Sequence, residues 1–356
     1  MRFANWDGAF ATVFGTLVSG AFLVRFVQLQ HGTDFWIQAV AAIPALCGLF
    51  QIPGSILSRS FVSYKAYIRV GGVLWRLMYV PLLALPIAAL DGNLKLAILA
   101  GCMMVASISL SMVGPVYNDW IGGLVPPNSR GLYFSKRNAI LTGVGAGVGV
   151  IGAGLLDFFK SRGNEPQGLV IVFGIGLAAS AISQFYFEKM QDLRRVEVVA
   201  PNLRAGLREF KRPIADPHYR KVLVFLGVFF FAQAFAGNFF AAYALESLKL
   251  PITFLTIFGL MQALGIVVAS KPWGYLADKY GTRPLLAIGA VGISLTPTMW
   301  LFCSPDRMAQ NVSILVSCHF LIGLVWAGVI LCQFNILLST SPEKDRGVYL
   351  GAGQTM

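Results

Sequence analysis

Long apolar runs separated by short polar breaks dominate this 356-residue chain. A bilayer core of ~30 Å is crossed by about 20 apolar residues in helical conformation, at ~1.5 Å rise each. Ten stretches of that order can be marked: 8–28, 35–57, 67–90, 96–118, 138–159, 168–187, 222–245, 252–273, 284–303 and 312–337. Most hold no Asp, Glu, Lys or Arg. The first is too long for a signal peptide, lacks a small-residue cleavage site before Gln30, and runs at once into another span. It reads as the first helix of a bundle, and the fold class is an all-α membrane protein.

One long polar segment, 188–221, divides the chain, with six stretches before it and four after. Within it Leu203, Leu207 and Phe210 lie at helical spacing beside Arg204, Arg208 and Lys211. That pattern fits either an amphipathic helix on an anionic leaflet or a solvated linker. A repeat spans the divide. Pro126-x-x-x-Arg130-Gly131-x-Tyr133 recurs as Pro342-x-x-x-Arg346-Gly347-x-Tyr349, an offset of 216 residues. Gly54 to Arg59 and Gly274 to Lys279 repeat at an offset of 220. Two landmarks at the same points of a six-span series predict parallel repeats. The domains expected are a six-helix bundle over 1–187, a basic cytoplasmic linker over 188–221, and a second bundle over 222–356. By the 216 offset Met356 corresponds to Ile140, the start of the fifth span. The chain is therefore expected to be truncated, with ten complete spans and the start of an eleventh.

Composition agrees with the pattern. Hydrophobic residues make up 56% and charged residues 12%, with mean hydropathy +0.68. A soluble domain carries about twice that charged fraction. The net charge of +12 raises the question of a nucleic-acid partner. Its distribution answers otherwise: 19 Lys and Arg fall on the side of the N-terminus, 5 on the other, and Arg25, Arg69, Arg76 and Lys271 within stretches. This asymmetry predicts a cytoplasmic N-terminus. Cys47, Cys102, Cys303, Cys318 and Cys332 all lie in apolar stretches without a C-x-x-C pair, so they read as buried thiols.

The segment Gly274-Tyr-Leu-Ala-Asp278-Lys279-Tyr-Gly281-Thr-Arg283-Pro284 resembles the G-x-L-A-D-[RK]-x-G-[RK]-[RK] loop signature of the major facilitator superfamily. It falls between the eighth and ninth stretches, where that family places it. Physically, Gly274 lets a neighbouring helix come close, Asp278 can meet the positive N-terminal end of a facing helix or an Arg, and Gly281 permits a tight turn. The resemblance implies a conformational latch made by Gly274, Asp278, Lys279, Gly281 and Arg283. The first-half copy departs from the signature, with Ser58 for Asp and Phe61 for Gly. Trp273-Gly274 and the segment PPNSRGLYFSKR also resemble bacterial members without an assigned substrate. The fifth span carries Gly143, Gly145, Gly147, Gly149, Gly152 and Gly154, a small-residue face for close packing, and lacks the Gly-Pro motif of the family's antiporters.

Charges inside spans are costly and usually paired or functional. Arg69 and Arg76 share a face of the third stretch, with Asp119 and Asp7 as candidate partners. Arg25 either snorkels or faces a cavity. The family's cavity is lined by its first, fourth, seventh and tenth helices. The candidates there are Thr12, Thr16 and Ser19; Ser107, Ser111 and Asn118; Gln233, Asn238 and Tyr243; and His319, Gln333 and Asn335. For any one of them, helix-to-helix hydrogen bonding is the alternative. No mid-membrane carboxylate stands in these spans, which leaves His319 as the candidate proton relay.

No hydrolase triad, H-E-x-x-H or phosphate loop is present in the sequence, nor a selectivity filter, which argues against an enzyme, an ATP-driven pump or a channel. The expected function is secondary active or facilitative transport of a small solute by alternating access. The alternative is a non-transporting membrane protein: a remnant, assembly partner or sensor. The expected partners are a small-molecule substrate, a coupling ion (H+ or Na+) and the lipid bilayer, with no nucleic acid, no cofactor and no metal. A monomer in the bacterial inner membrane completes the expectation.

Overall fold

The computed structural model describes residues 2–126, 129–193, 211–250, 252–343 and 346–354, apart from the side chains of 34, 234–239, 241–242, 245–246, 252–253, 256 and 354. Helices account for nearly all of it, and no strand occurs among the described residues. They are α1 (Arg2–Leu17), α2 (Gly20–Leu29), α3 (Asp34–Cys47), α4 (Gln51–Leu57), α5 (Tyr64–Leu77), α6 (Gly92–Leu124) and α7 (Arg130–Ser161). There follow α8 (Glu165–Glu188), α9 (Lys211–Ala215), α10 (Pro217–Ala242), α11 (Ile252–Tyr280), α12 (Thr282–Leu295), α13 (Met308–Thr340) and α14 (Arg346–Gln354). A backbone in lipid has no water to bond, so helices that satisfy their own polar groups are the natural form for these apolar runs.

Among the described residues, seven helical segments are long and apolar enough to cross a membrane: Arg2–Leu29, Phe35–Ser60, Gly92–Leu124, Arg130–Ser161, Glu165–Glu188, Thr282–Phe302 and Met308–Thr340. The first is interrupted at Ser19, where Gly20 adopts φ +56°, a conformation open to glycine and costly elsewhere. Of the other three predicted stretches, 67–90 does not hold one helix. Its α5 stops at Leu77 and gives way to a 3-10 turn, Val80–Leu83, because Pro81 and Pro86 remove backbone donors. Stretches 222–245 and 252–273 lie largely in α10 and α11, each partly outside the described side chains. The amphipathic segment predicted around Leu203, Leu207 and Phe210 lies outside the described residues.

The chain divides into two compact units. The first comprises Met1–Leu124, Gly147–Arg212 and Asp345–Thr355; the second comprises Val125–Ala146 and Pro213–Lys344. Thus α7 contributes its first half to one unit and its second half to the other. The core of the first unit gathers Phe14, Phe26, Leu96, Leu99, Val172 and Phe173, all at 0–1% exposure. In the second, α11 and α13 cross at Gly265 and Gly323. A Cβ on Gly265 would stand 2.8 Å from the Leu324 nitrogen, and one on Gly323 would strike the Gln262 carbonyl. Such close backbone approach supplies the packing that association in lipid relies on. Large apolar side chains stay on the outside, among them Leu301, Phe231 and Ile151. In the glycine-rich α7, Gly152 is tight, since an added Cβ would lie 2.7 Å from Leu17 and Phe22, whereas one on Gly147 or Gly154 would meet nothing within 4 Å.

Candidate functional site

A cavity of about 600 Å³ runs through the second unit. Helical periodicity builds each wall. Along α11, Leu255, Phe258, Gly259 and Gln262 share a face, and along α13 so do His319, Ile322 and Trp326. From α10 come Ala232, Gln233 and Phe240, and from the end of α12 and its following 3-10 turn (Thr296–Phe302) come Ile293, Ser294, Thr296, Pro297 and Trp300. Aromatic rings dominate. The His319 imidazole stacks on Phe258 with centroids 4.8 Å apart and planes at 5°, and meets Trp300 edge-on at 6.2 Å. Phe240 lies 4.9 Å from Trp300, and Trp326 is backed by Phe229 at 6.2 Å and Phe230 at 6.1 Å.

The polar groups of the cavity differ in how they are engaged. Ser294 Oγ donates to the Ala290 carbonyl at 2.9 Å and Thr296 Oγ1 to that of Ile293 at 2.7 Å, so both hydroxyls serve their own helix. The buried Nδ1 of His319 has no hydrogen-bond partner among the described residues. Among the described residues, no Asp, Glu, Lys or Arg lines the space.

At another place in the same unit, Asp278 near the end of α11 receives the start of α7. Its Oδ1 accepts from the Gly131 N–H and its Oδ2 from the Leu132 N–H, both at 2.8 Å. The first turn of a helix carries unpaired donors and partial positive charge, and a carboxylate satisfies both. Neither glycine of the crossing tolerates a side chain: a Cβ on Gly131 would lie 2.5 Å from Asp278 Oδ1 and 2.8 Å from the Gly274 carbonyl, and one on Gly274 would strike Ser135. Gly281 takes φ +82° to turn the chain into α12. Lys279 sits over the rings of Tyr275 and Tyr280, and Arg283 is exposed.

The first unit holds a buried polar network. Arg76 Nη2 donates to Ser183 Oγ at 2.8 Å, and Ser183 Oγ donates to Asp7 Oδ1 at 2.7 Å. Tyr117 donates to Asp7 Oδ2 at 2.9 Å, and Arg76 Nη1 reaches the Gly72 carbonyl at 3.0 Å. Arg76 and the 4%-exposed Asp7 are thus joined through a hydroxyl. Asp119 accepts from Tyr64 at 2.9 Å and faces Arg346 of α14 at 3.6 Å. Arg69 forms a fork with Glu188 at 2.7 and 2.6 Å, and Arg25 does the same with Glu165 at 2.5 and 2.8 Å.

Of the predicted cavity residues, Gln233 and His319 line the cavity of the second unit. The side chain of Asn238 lies outside those described, and Tyr243 is exposed. Asn335 is buried, its Oδ1 without a partner among the described residues, and Gln333 is half-buried. In the first unit, Thr12 and Ser19 donate to the carbonyls of Gly8 and Gly15. Thr16, Ser111 and Asn118 are half-buried and Ser107 is buried. Sequence reasoning missed Gln262, Phe258, Trp300 and Trp326 in the cavity, and Glu165, Ser183 and Tyr117 as partners of the arginines and Asp7. A polar residue sharing a helix face with aromatics, as Gln262 does with Phe258, was the available signal.

The profile of the Major Facilitator Superfamily matches residues 8–356. An uncharacterized MFS-type transporter, YuxJ, of Bacillus subtilis (strain 168) is 30% identical over 88 residues, 25% of this chain and 21% of that relative's length. The fold is similar to a bacterial homologue of the iron transporter ferroportin, at TM-score 0.72 and 16% identity, covering 100% of this chain and 89% of that one. It is also similar to the E. coli fucose:proton symporter FucP, at TM-score 0.69 and 15% identity over 99% and 88% of the two chains. The proton:xylose symporter XylE follows at TM-score 0.64 and 15% identity over 99% and 84%. Nothing in these comparisons bears out the expected truncation.

Proposed function

The chain belongs to the Major Facilitator Superfamily, and on that premise we propose that it carries a small solute across a membrane by alternating access. The observation that carries this reading is the cavity of about 600 Å³ among α10, α11, α12 and α13. Its size is that of a small-molecule site, and its polar groups are few against an apolar lining, as such sites require. The protein is integral and multi-pass, with seven helical segments able to span a bilayer.

The finer reading has ten spans, bundles over 1–187 and 222–356 joined by the linker 188–221, and a cytoplasmic N-terminus supported by the 19-to-5 asymmetry of Lys and Arg. The membrane is the bacterial inner membrane, and the working unit is a monomer. Gly274, Asp278, Lys279, Gly281 and Arg283 form the conformational latch, with Asp278 holding the start of α7. H+ is the coupling ion, as it is for the fucose:proton symporter FucP and the proton:xylose symporter XylE, and His319 is the group that would carry it.

The test is uptake into proteoliposomes holding the full chain, screened with labelled solutes under an imposed proton gradient. Saturable uptake that falls in Asp278→Ala supports the reading. Absence of uptake for every solute, in vesicles whose protein is correctly folded, returns the chain to the non-transporting alternative. Loss of pH dependence in His319→Gln supports the relay, and its persistence removes it.

A further inference from the structure

We propose that the cavity of the second unit selects an uncharged, ring-bearing solute with a hydrogen-bonding edge. This deepens the transport reading and rests on it. Three features of the lining lead there.

The first is charge. Among the described lining residues none is Asp, Glu, Lys or Arg. An ionic ligand drawn from water into this space meets no permanent counter-charge among them, a cost that rises with burial. The second is shape. Trp300, Trp326, Phe240 and Phe258 present rings on several sides of the space. Planar or flat-faced ligands gain most from such walls, through stacking and edge contacts. The third is polarity. The two serine and threonine hydroxyls of the lining are already bonded to their own helix. Gln233, Gln262 and the Nδ1 of His319 make no hydrogen bond among the described residues. Each amide offers both donor and acceptor, and the imidazole offers one or the other. A purely apolar ligand would seal these groups away unpaired, whereas a ligand with an amide-like or hydroxyl-bearing edge satisfies them.

A matched series of probes isolates these features. Benzamide, benzoate and benzamidinium share one ring and nearly one shape, and differ in charge. The full chain in lipid nanodiscs is titrated with each, and binding is read by saturation-transfer NMR. Benzamide is expected to bind saturably, with the two ions weaker by about tenfold or more. Gln262→Leu and His319→Phe each weaken benzamide by about tenfold, and the second keeps a ring against Phe258 so that packing survives. Retention of the monodisperse elution profile in both variants separates lost recognition from lost fold. The proposal is overturned by an ion binding as tightly as benzamide, by benzamide binding unaffected in both variants, or by no saturable binding of benzamide to the folded chain. Uptake of a charged solute into proteoliposomes would overturn the substrate class and leave transport standing. Expected probe binding with no uptake of any neutral solute would keep the site and remove the transport reading.

Discussion

Two helices of this protein begin at equivalent points of the repeat and are received differently. α7 opens with Arg130-Gly131 and α14 with Arg346-Gly347, 216 residues later. In the second unit the start of α7 is held by a carboxylate on its backbone, Asp278 accepting from two N–H groups at 2.8 Å. In the first unit the residue equivalent to Asp278 is Ser58, whose hydroxyl donates to the Ser55 carbonyl at 2.8 Å. At the start of α14, Asp119 faces the Arg346 side chain and Val348 makes an apolar contact with Ile56. The position equivalent to Asp119 in the second unit is Asn335, by the same 216 offset. Asp278 and Asp119 thus serve the two junctions from different places in the repeat. A helix start can be anchored through its own donors or through the side chain of its first residue, and the two solutions differ in tolerance. Backbone anchoring demands glycine at the crossing. Side-chain anchoring leaves Gly347 with nothing within 4 Å of an added Cβ.

The largest expected effect tests that difference in tolerance. Gly131→Val should cost about 1–3 kcal/mol through overpacking, with uptake falling alongside, while Gly347→Val should stay within ~0.5 kcal/mol. Thermal unfolding of the detergent-solubilised chain reads both, and equal damage at the two sites would end the comparison. Next is Asp278→Ala, which strips the cap from α7 and should cost about 1–2 kcal/mol. A cost near zero by the same measurement would mean that water serves these donors equally well. Arg346→Gln should cost about 1 kcal/mol, because the contact spans 3.6 Å and Asp119 keeps Tyr64. A loss larger than that of Asp278→Ala would make the first junction the more electrostatic of the two. The smallest effect belongs to Tyr64→Phe, about 0.5–1 kcal/mol for one hydrogen bond, and a double-mutant cycle with Arg346→Gln would reveal whether the two share Asp119 cooperatively.

The Asp278 contact was half legible before any coordinates, since a carboxylate in a Gly-rich loop signature needs a positive partner, which either a helix start or an Arg could supply. What could not be read was that the partner would be Gly131 and Leu132, 147 and 146 residues away. The break in stretch 67–90 was signalled by Pro81 and Pro86, and hydropathy alone passed over it. Arg76 was expected to find a carboxylate, and Asp7 was among those named, but the bridging Ser183 reads in sequence as any other serine in an apolar run. Arg25 was weighed between snorkelling and a cavity, and it meets Glu165 from outside the marked stretches.

Apolarity and its period are properties of neighbouring residues, so the sequence by itself determined the helical class, most of the membrane-capable segments, the repeat and the loop signature. Which polar groups meet was decided by the tertiary structure alone. A helix places a side chain by its rotation and height as well as by its order in the chain, and both depend on the helices packed around it. His319 is one polar residue in the apolar α13, and only the rotation that sets it beside Phe258 and Trp300 gives it a place in a cavity.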